Sequence, residues 1–97
     1  MWRYNKFMKK MEKTFKALAN HKRLEILKIL MKNKTVSVGE ISEKIKTSLK
    51  STSKHLFVLY NGDFLEKERV YGLTIYRLKD KLDVMEKELV DFVRKQI

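Results

Sequence analysis

The chain contains no cysteine and no proline, and only three of its 97 residues are glycine. Without cysteine there is no disulfide framework, no thiolate metal site and no thiol nucleophile. With no proline and so little glycine, regular elements joined by short turns are expected rather than long loops. Long hydrophobic runs are missing too: the longest, Leu56 to Tyr60, is far too short to span a bilayer. The opening residues Met1-Trp2-Arg3-Tyr4-Asn5-Lys6 lack the apolar stretch and small-residue cleavage site of a secretory signal, so a soluble, cytoplasmic protein is expected. Acid is scarce beside base. Twelve Asp and Glu face 23 Lys and Arg, giving a net charge of +11 and a pI near 9.9. Such an excess favours a polyanionic partner and is silent about fold. It is also uneven, +9 over residues 1–34, +2 over 35–61, +1 over 62–79 and −1 over 80–97.

What is present is periodic. Tyr4, Met8, Met11, Phe15 and Leu18 follow a 4-3-4-3 spacing that lays one apolar stripe along a helix over about 3–19. Asn20 is placed to cap a second helix, His21 to about Lys32, with Leu24, Leu27 and Met31 on one face and Ile26, Ile29 and Leu30 widening it. Ser37 and Glu40 have the spacing of a capping box, so a short third helix starts at Val38, with Val38, Ile41 and Ile45 as its buried stripe. Ser48 caps a fourth, which Asn61-Gly62 stops. The period then changes to alternation over 64–78, broken by Tyr71-Gly72, the pattern of a hairpin with a tight turn. The helical period returns with Leu82, Met85, Leu89 and Phe92 in a last helix over about 80–96, with Asp80 and Asp83 near its start. The expected fold is one domain over 1–97, mainly α with a small β-hairpin: a winged helix-turn-helix of five helices plus a two-stranded wing.

The fourth helix carries the functional signal. At about 100° per residue, Thr52, Leu56 and Leu59 converge on one side while Lys50, Ser51, Ser53, Lys54 and Phe57 spread over the other. A helix that reads the DNA major groove needs short hydrogen-bonding side chains for base edges, cations for phosphates and an apolar back. Hydroxyls also favour helix starts, and lysines also make an ordinary solvated face, so this segment gains its meaning from the hairpin after it and the charge around it.

Three segments, "FKALANHKRLEILKIL" (Phe15 to Leu30), "VGEISEKI" (Val38 to Ile45) and "STSKHLFVL" (Ser51 to Leu59), resemble those of the ArsR-type winged helix-turn-helix repressors. Ala17, Leu18, Asn20, Arg23, Leu24, Ile26 and Leu27 match the family's lead-in to the second helix, with His21 where proline is usual. Ser53, His55, Leu56 and Leu59 match the core of its reading helix, and Tyr76-Arg77-Leu78 the close of its wing. The resemblance implies a homodimer on double-stranded DNA that blocks transcription at a roughly two-fold operator, paired through the first and last helices. Tyr4, Phe7, Met8, Met11, Phe15, Leu82, Met85, Leu89 and Phe92 are the expected interface. Expected DNA contacts are Lys46, Ser48, Lys50, Ser51, Ser53, Lys54 and His55 from helix 48–61 and its approach, and Lys67, Arg69 and Tyr71 from wing 64–78.

The departures matter as much. Relatives that sense metal use a Cys-x-Cys in the third helix or Asp/His and His/Glu sets in the last; here the third helix reads Val38-Gly39-Glu40-Ile41-Ser42, and the only histidines are His21 and His55. No metal site and no cofactor are expected, and the sequence names no effector. Phe57 stands where a polar residue is usual, to cover the partner subunit's edge or meet a thymine methyl. Asp63 replaces a customary glycine, with Gly62 one residue early, so a shifted turn is expected before the wing. Two other classes remain: a first helix rich in lysine, with Trp2 and Phe7, suits an anionic membrane surface, and a basic winged helix also serves non-specific nucleic-acid or protein binding. An enzyme is the reading least supported, since there is no glycine-rich phosphate loop and Glu40 and Glu43 are explained by capping and solvation.

Overall fold

Side-chain caps decide where the helices of this chain begin. In the computed structural model, which describes residues 3–96, the order is α1 (Lys6–Leu18), α2 (His21–Lys32), β1 (Val36–Ser37), α3 (Val38–Ile45), α4 (Leu49–Asn61), β2 (Leu65–Val70), β3 (Leu73–Leu78) and α5 (Val84–Lys95). Asn20 accepts hydrogen bonds from the backbone N–H groups of Lys22 (2.9 Å) and Arg23 (3.2 Å), and Ser48 from that of Ser51 (3.1 Å). Ser37 and Glu40 form the expected capping box. Such caps are worth about 1 kcal/mol each.

Two helices start later than their apolar spacing indicates. Asn5 caps α1 by accepting from the Met8 N–H at 2.9 Å, which leaves Tyr4 outside the helix and exposed. The last helix begins at Val84 rather than near Asp80, because Asp83 and Glu86 cap each other's N–H groups at 2.8 and 3.0 Å. Leu82 therefore precedes α5 instead of riding on it. The Asp-x-x-Glu spacing that fixes this start was available in the sequence and is a stronger signal than two acids near a helix end.

The wing is an antiparallel hairpin running from Leu65 opposite Leu78 to Val70 opposite Leu73. The expected two strands are joined by a third, because Val36 and Ser37 pair with Tyr76 and Ile75 and give the order β1-β3-β2. This short strand ties the start of α3 to the wing. Ile26, Leu27 and Leu30 of α2, Ile41 and Ile45 of α3, Leu56 and Leu59 of α4, and Phe64, Leu65 and Tyr76 of the wing's base make the core. The buried centre of α2 is displaced from the Leu24–Leu27–Met31 line: Leu24 is exposed and Met31 half-buried, since α3, α4 and β3 enclose the Ile26 side.

The turn into the wing is not shifted. Asp63 itself takes the left-handed backbone, with φ of +66°, while Gly62 has an ordinary φ of −79°. Gly62 is required for a different reason. A Cβ there would sit 2.8 Å from the Cβ of Ala17, so glycine lets the end of α4 touch α1. The molecule measures 51 × 26 × 24 Å with a radius of gyration of 13.9 Å, more than the roughly 12.5 Å of a compact chain this long. Part of the chain stands off its own core.

Candidate nucleic-acid interface

Helix α4 divides as the wheel requires. Thr52, Leu56 and Leu59 are fully buried against α2, α3 and β2, while Lys50, Ser51, Ser53, Lys54 and Phe57 are exposed. The apolar back anchors the helix and leaves hydroxyls and ammonium groups in solvent. Among the described residues, no carboxylate lies within ion-pair distance of Lys46, Lys50, Lys54 or Arg69, so their charge is free for an external anion. Ser48 is exposed, but its hydroxyl is engaged as the α4 cap.

The turn between α3 and α4 is held by side chains from both sides. Lys46 ends α3 in a left-handed conformation, with φ of 55°, and its N–H donates to the Ser42 carbonyl. The Ser42 hydroxyl donates to the Thr47 carbonyl at 2.7 Å, and the Lys22 ammonium to the Ile45 carbonyl at 2.6 Å. The bonds to Ser42 and Ile45 satisfy carbonyls that the end of α3 would otherwise leave without partners, and the bond to Thr47 satisfies one in the turn itself. They set the angle at which α4 leaves α3.

Arg23 plays a similar part across three helices. Its guanidinium donates to the carbonyls of Ala17 (2.8 Å) and Lys16 (3.0 Å) at the end of α1 and approaches Nδ1 of His55 on α4 at 3.2 Å. Because a guanidinium only donates, Nδ1 must accept, which places the imidazole proton on Nε2 and keeps the ring neutral. Burial first, and then the charges of Arg23 and Lys22, lower the His55 pKa below its usual value. His55 is a half-buried residue of α4, tied to α2. Lys22, Arg23 and Ser42 are absent from the sequence-derived contact set, although Arg23 belongs to the motif before α2; nothing in the sequence marks Lys22 or Ser42 as braces.

The wing residues divide. Arg69 and Tyr71 are exposed, but the Lys67 ammonium lies 4.4 Å from the centre of the Tyr60 ring at the end of α4, a cation–π contact that draws it back toward the body. Glu66 and Glu68, which dilute the wing's charge in sequence, both pair with Arg77, at 3.0 and 3.2 Å.

The terminal helices leave apolar side chains in solvent. Phe7 and Phe92 are each 65% exposed, Phe15 and Val84 are exposed, and Met8, Met11, Leu82, Met85 and Leu89 are half-buried. Between α2 and α5, Leu24, Leu89 and Phe92 line an open apolar groove of about 440 Å³. Lys10 pairs with Asp83 and lies 4.0 Å from the buried Glu86 carboxylate, so one lysine of α1 is already committed to the start of α5. Trp2 of the membrane-surface reading lies outside the described residues. No described helix is long and apolar enough to cross a membrane, and among the described residues no group of three or more His, Asp or Glu is placed to hold a metal ion.

Five helices, a hairpin wing and a polar-fronted fourth helix define a winged helix-turn-helix transcriptional regulator. Comparison with known proteins gives the family. The model of the bacterial regulatory protein, arsR family, matches residues 20–67, from the cap of α2 into β2. The arsenical resistance operon repressor of Bacillus subtilis (strain 168) is 31% identical over 77 residues, 79% of this chain and 73% of the relative. Among solved structures, HlyU from Vibrio cholerae N16961 superposes with a TM-score of 0.78 at 27% identity, covering 95% of this chain and 96% of that one. The solution structure of a homodimeric winged helix-turn-helix DNA-binding domain from Mycobacterium bovis, described as a possible ArsR-family transcriptional regulator, gives 0.80 at 25% identity over 99% and 85%. This chain belongs to the ArsR family of bacterial regulatory proteins; it is a DNA-binding transcriptional regulator and not an enzyme.

Proposed function

We propose that the chain is a cytoplasmic, homodimeric repressor that acts without a metal cofactor and sets α4 into the major groove of a two-fold operator. The observation that carries this reading is the division of α4: a back of Thr52, Leu56 and Leu59 sealed in the core, a front of Ser51, Ser53 and Lys54 in solvent. Ser51, Ser53 and Lys54 are assigned to base edges, and Lys46, Lys50, Lys67 and Arg69 to phosphates, with Lys67 leaving the Tyr60 ring to do so. Ser48 supports the site as the cap, and His55 offers its Nε2–H to a phosphate. Pairing uses α1 and α5, whose Phe7, Phe15 and Phe92 are exposed, and the M. bovis relative is described as homodimeric. Tyr4 and Leu82 would join that seam from just outside the helices.

Selection of bound sites from a random duplex library, followed by affinities at two salt concentrations, tests the proposal by separating base readout from phosphate attraction. The expected result is an inverted repeat with half-sites about one or two helical turns apart. Lys54→Ala should then cost about 1–3 kcal/mol and relax the sequence preference at one position. No enriched motif, with binding that vanishes as salt rises, would refute sequence-specific repression and leave a basic module for non-specific polyanion binding.

A further inference from the structure

Among the described residues, three other than glycine hold a left-handed backbone: Lys46, Asp63 and Tyr71. The first two are accounted for inside the molecule. Lys46 caps α3 through its N–H, and Asp63, a residue type that tolerates this region, donates its N–H to the Tyr60 carbonyl at 3.1 Å. Tyr71 has no such compensation. It is the first residue of a two-residue turn in which Tyr71 and Gly72 have φ of 49° and 80°, the type I′ geometry that favours Asn-Gly. An aromatic residue there is strained, and Tyr71 is 101% exposed, so no packing offsets the strain. Val70 and Leu73 beside it are also exposed, and nothing lies within 4 Å of the place a Gly72 Cβ would occupy. The tip is therefore a slim apolar point, with the exposed Arg69 one residue behind it.

We propose that the wing tip is an aromatic wedge: Tyr71 enters the minor groove beside the half-site, partly unstacks one base step and bends the duplex. The inference rests on the DNA-reading function proposed above and adds a source of specificity that α4 does not supply. A minor groove is about 6 Å wide, which a two-residue turn with glycine on one side can enter and a bulkier loop cannot. Apolar wedges act at such steps, and pyrimidine–purine steps unstack most easily. Selected operators should therefore hold a TA or CA/TG step where the wing falls, at a position no α4 side chain reaches. Arg69 would neutralise the phosphates that the bend draws together.

The test sets stability against function. Tyr71→Asn gives the turn its preferred sequence and should raise the melting temperature by about 2–6 °C. The same variant should lose about ten- to a hundredfold in affinity for the selected duplex, in line with the loss of one stacked base. Tyr71→Phe keeps the ring and the strain, and should keep the wild-type affinity and melting temperature. With 2-aminopurine at the wing step, wild type and Tyr71→Phe should raise its fluorescence and bend a circularly permuted fragment, whereas Tyr71→Asn should do neither. If Tyr71→Asn binds and bends DNA as the wild type does, the wedge is refuted while DNA reading stands, and the apolar tip belongs to another partner. If Tyr71→Asn lowers both the melting temperature and the affinity, the tyrosine supports the wing's own fold and the wedge is again refuted. If the wild type binds no duplex, the wedge fails together with the function it rests on.

Discussion

In α2, α3 and α4 the apolar stripe disappears into the core, at Ile26, Leu27, Leu30, Ile41, Ile45, Leu56 and Leu59. In α1 and α5 a stripe of the same period leaves Phe7, Phe15 and Phe92 facing solvent and half-covers Met8, Met11, Met85 and Leu89. The sequence signal is alike in both regions, but its thermodynamic meaning is not. The central helices bury their stripe because α2, α3, α4 and the wing's base converge on one volume, and burial of a large aliphatic side chain is worth about 1.5–3 kcal/mol. The terminal helices meet that volume along one edge, with Ala17 and Val90 buried in it and Leu18, Leu89 and Val93 packed against it, and the proposed pairing would cover the apolar side chains left in solvent. Periodicity identifies a helix with a partner; it does not say whether the partner lies in the same chain.

The sharpest way to break the comparison is to remove one large apolar side chain from each region. Leu56→Ala empties a fully buried site on the back of α4, and a loss of about 2–5 kcal/mol is expected in a denaturant titration. A loss under about 1 kcal/mol would mean that the back of α4 is not part of the core. Gly62→Ala probes the seam between the two regions, where the end of α4 meets Ala17 of α1. A Cβ there must push Ala17 away, and about 1–3 kcal/mol of stability should go with it, since the Ala17 Cβ and the Val58 carbonyl oxygen, 3.3 Å away, are not flexible side-chain ends. An unchanged melting temperature would show that α1 gives way without cost, and so is not rigidly seated on α4.

On the terminal face the outcome should reverse. Phe92→Ser, alone or with Phe7→Ser, removes large exposed side chains, so the stability of the isolated chain should change by less than about 0.5 kcal/mol. The mass in solution should instead fall from dimer to monomer, and operator affinity should fall with it, because two half-sites no longer bind as one unit. Sedimentation at several concentrations reads the first effect and a duplex titration the second. A variant that stays dimeric would move the interface away from α5.

How much of this could be read from the sequence follows the same divide. The helix-turn-helix was legible almost to the residue, because its helices begin at Asn20, Ser37 and Ser48, caps that announce themselves by type and spacing. The terminal helices are shorter than their apolar stripes. A stripe continues past the point where Asn5 or an Asp83–Glu86 pair stops the helix, and Tyr4 and Leu82 fit the stripe without being helical. The exposed front of α4 was readable from a wheel, but the braces behind it were not. Lys22 reaches the Ile45 carbonyl and Arg23 reaches His55, 32 positions along the chain, and contacts across such separations leave no periodic trace. Nor did the residue types show that Asp63 would take the left-handed turn and leave Gly62 to serve close packing.

The smallest effect expected is one of pH, and it separates the two regions by where stability is lost. His55 sits in the helix-turn-helix with a folded pKa below the usual value of about 6.5. As pH falls through about 6.5 the unfolded chain takes up a proton before the folded one does, so the stability that His55 contributes is present above that value and is lost down to the lower, folded pKa. Asp83, at the join of α1 and α5, is held below the usual carboxylate value mainly by its hydrogen bond from Lys10 and then by the Glu86 N–H. Its contribution is present above about pH 3.9 and disappears as pH falls through the folded value, a separate and more acidic window. Melting temperatures followed from pH 7 to pH 3 should therefore decline in two stages. His55→Gln should flatten the first and leave the second, and Asp83→Asn should do the converse while keeping an oxygen for the cap. If His55→Gln leaves the first stage intact, Arg23 does not hold a neutral imidazole, and the link from α2 to α4 has to run through the Lys22 brace alone.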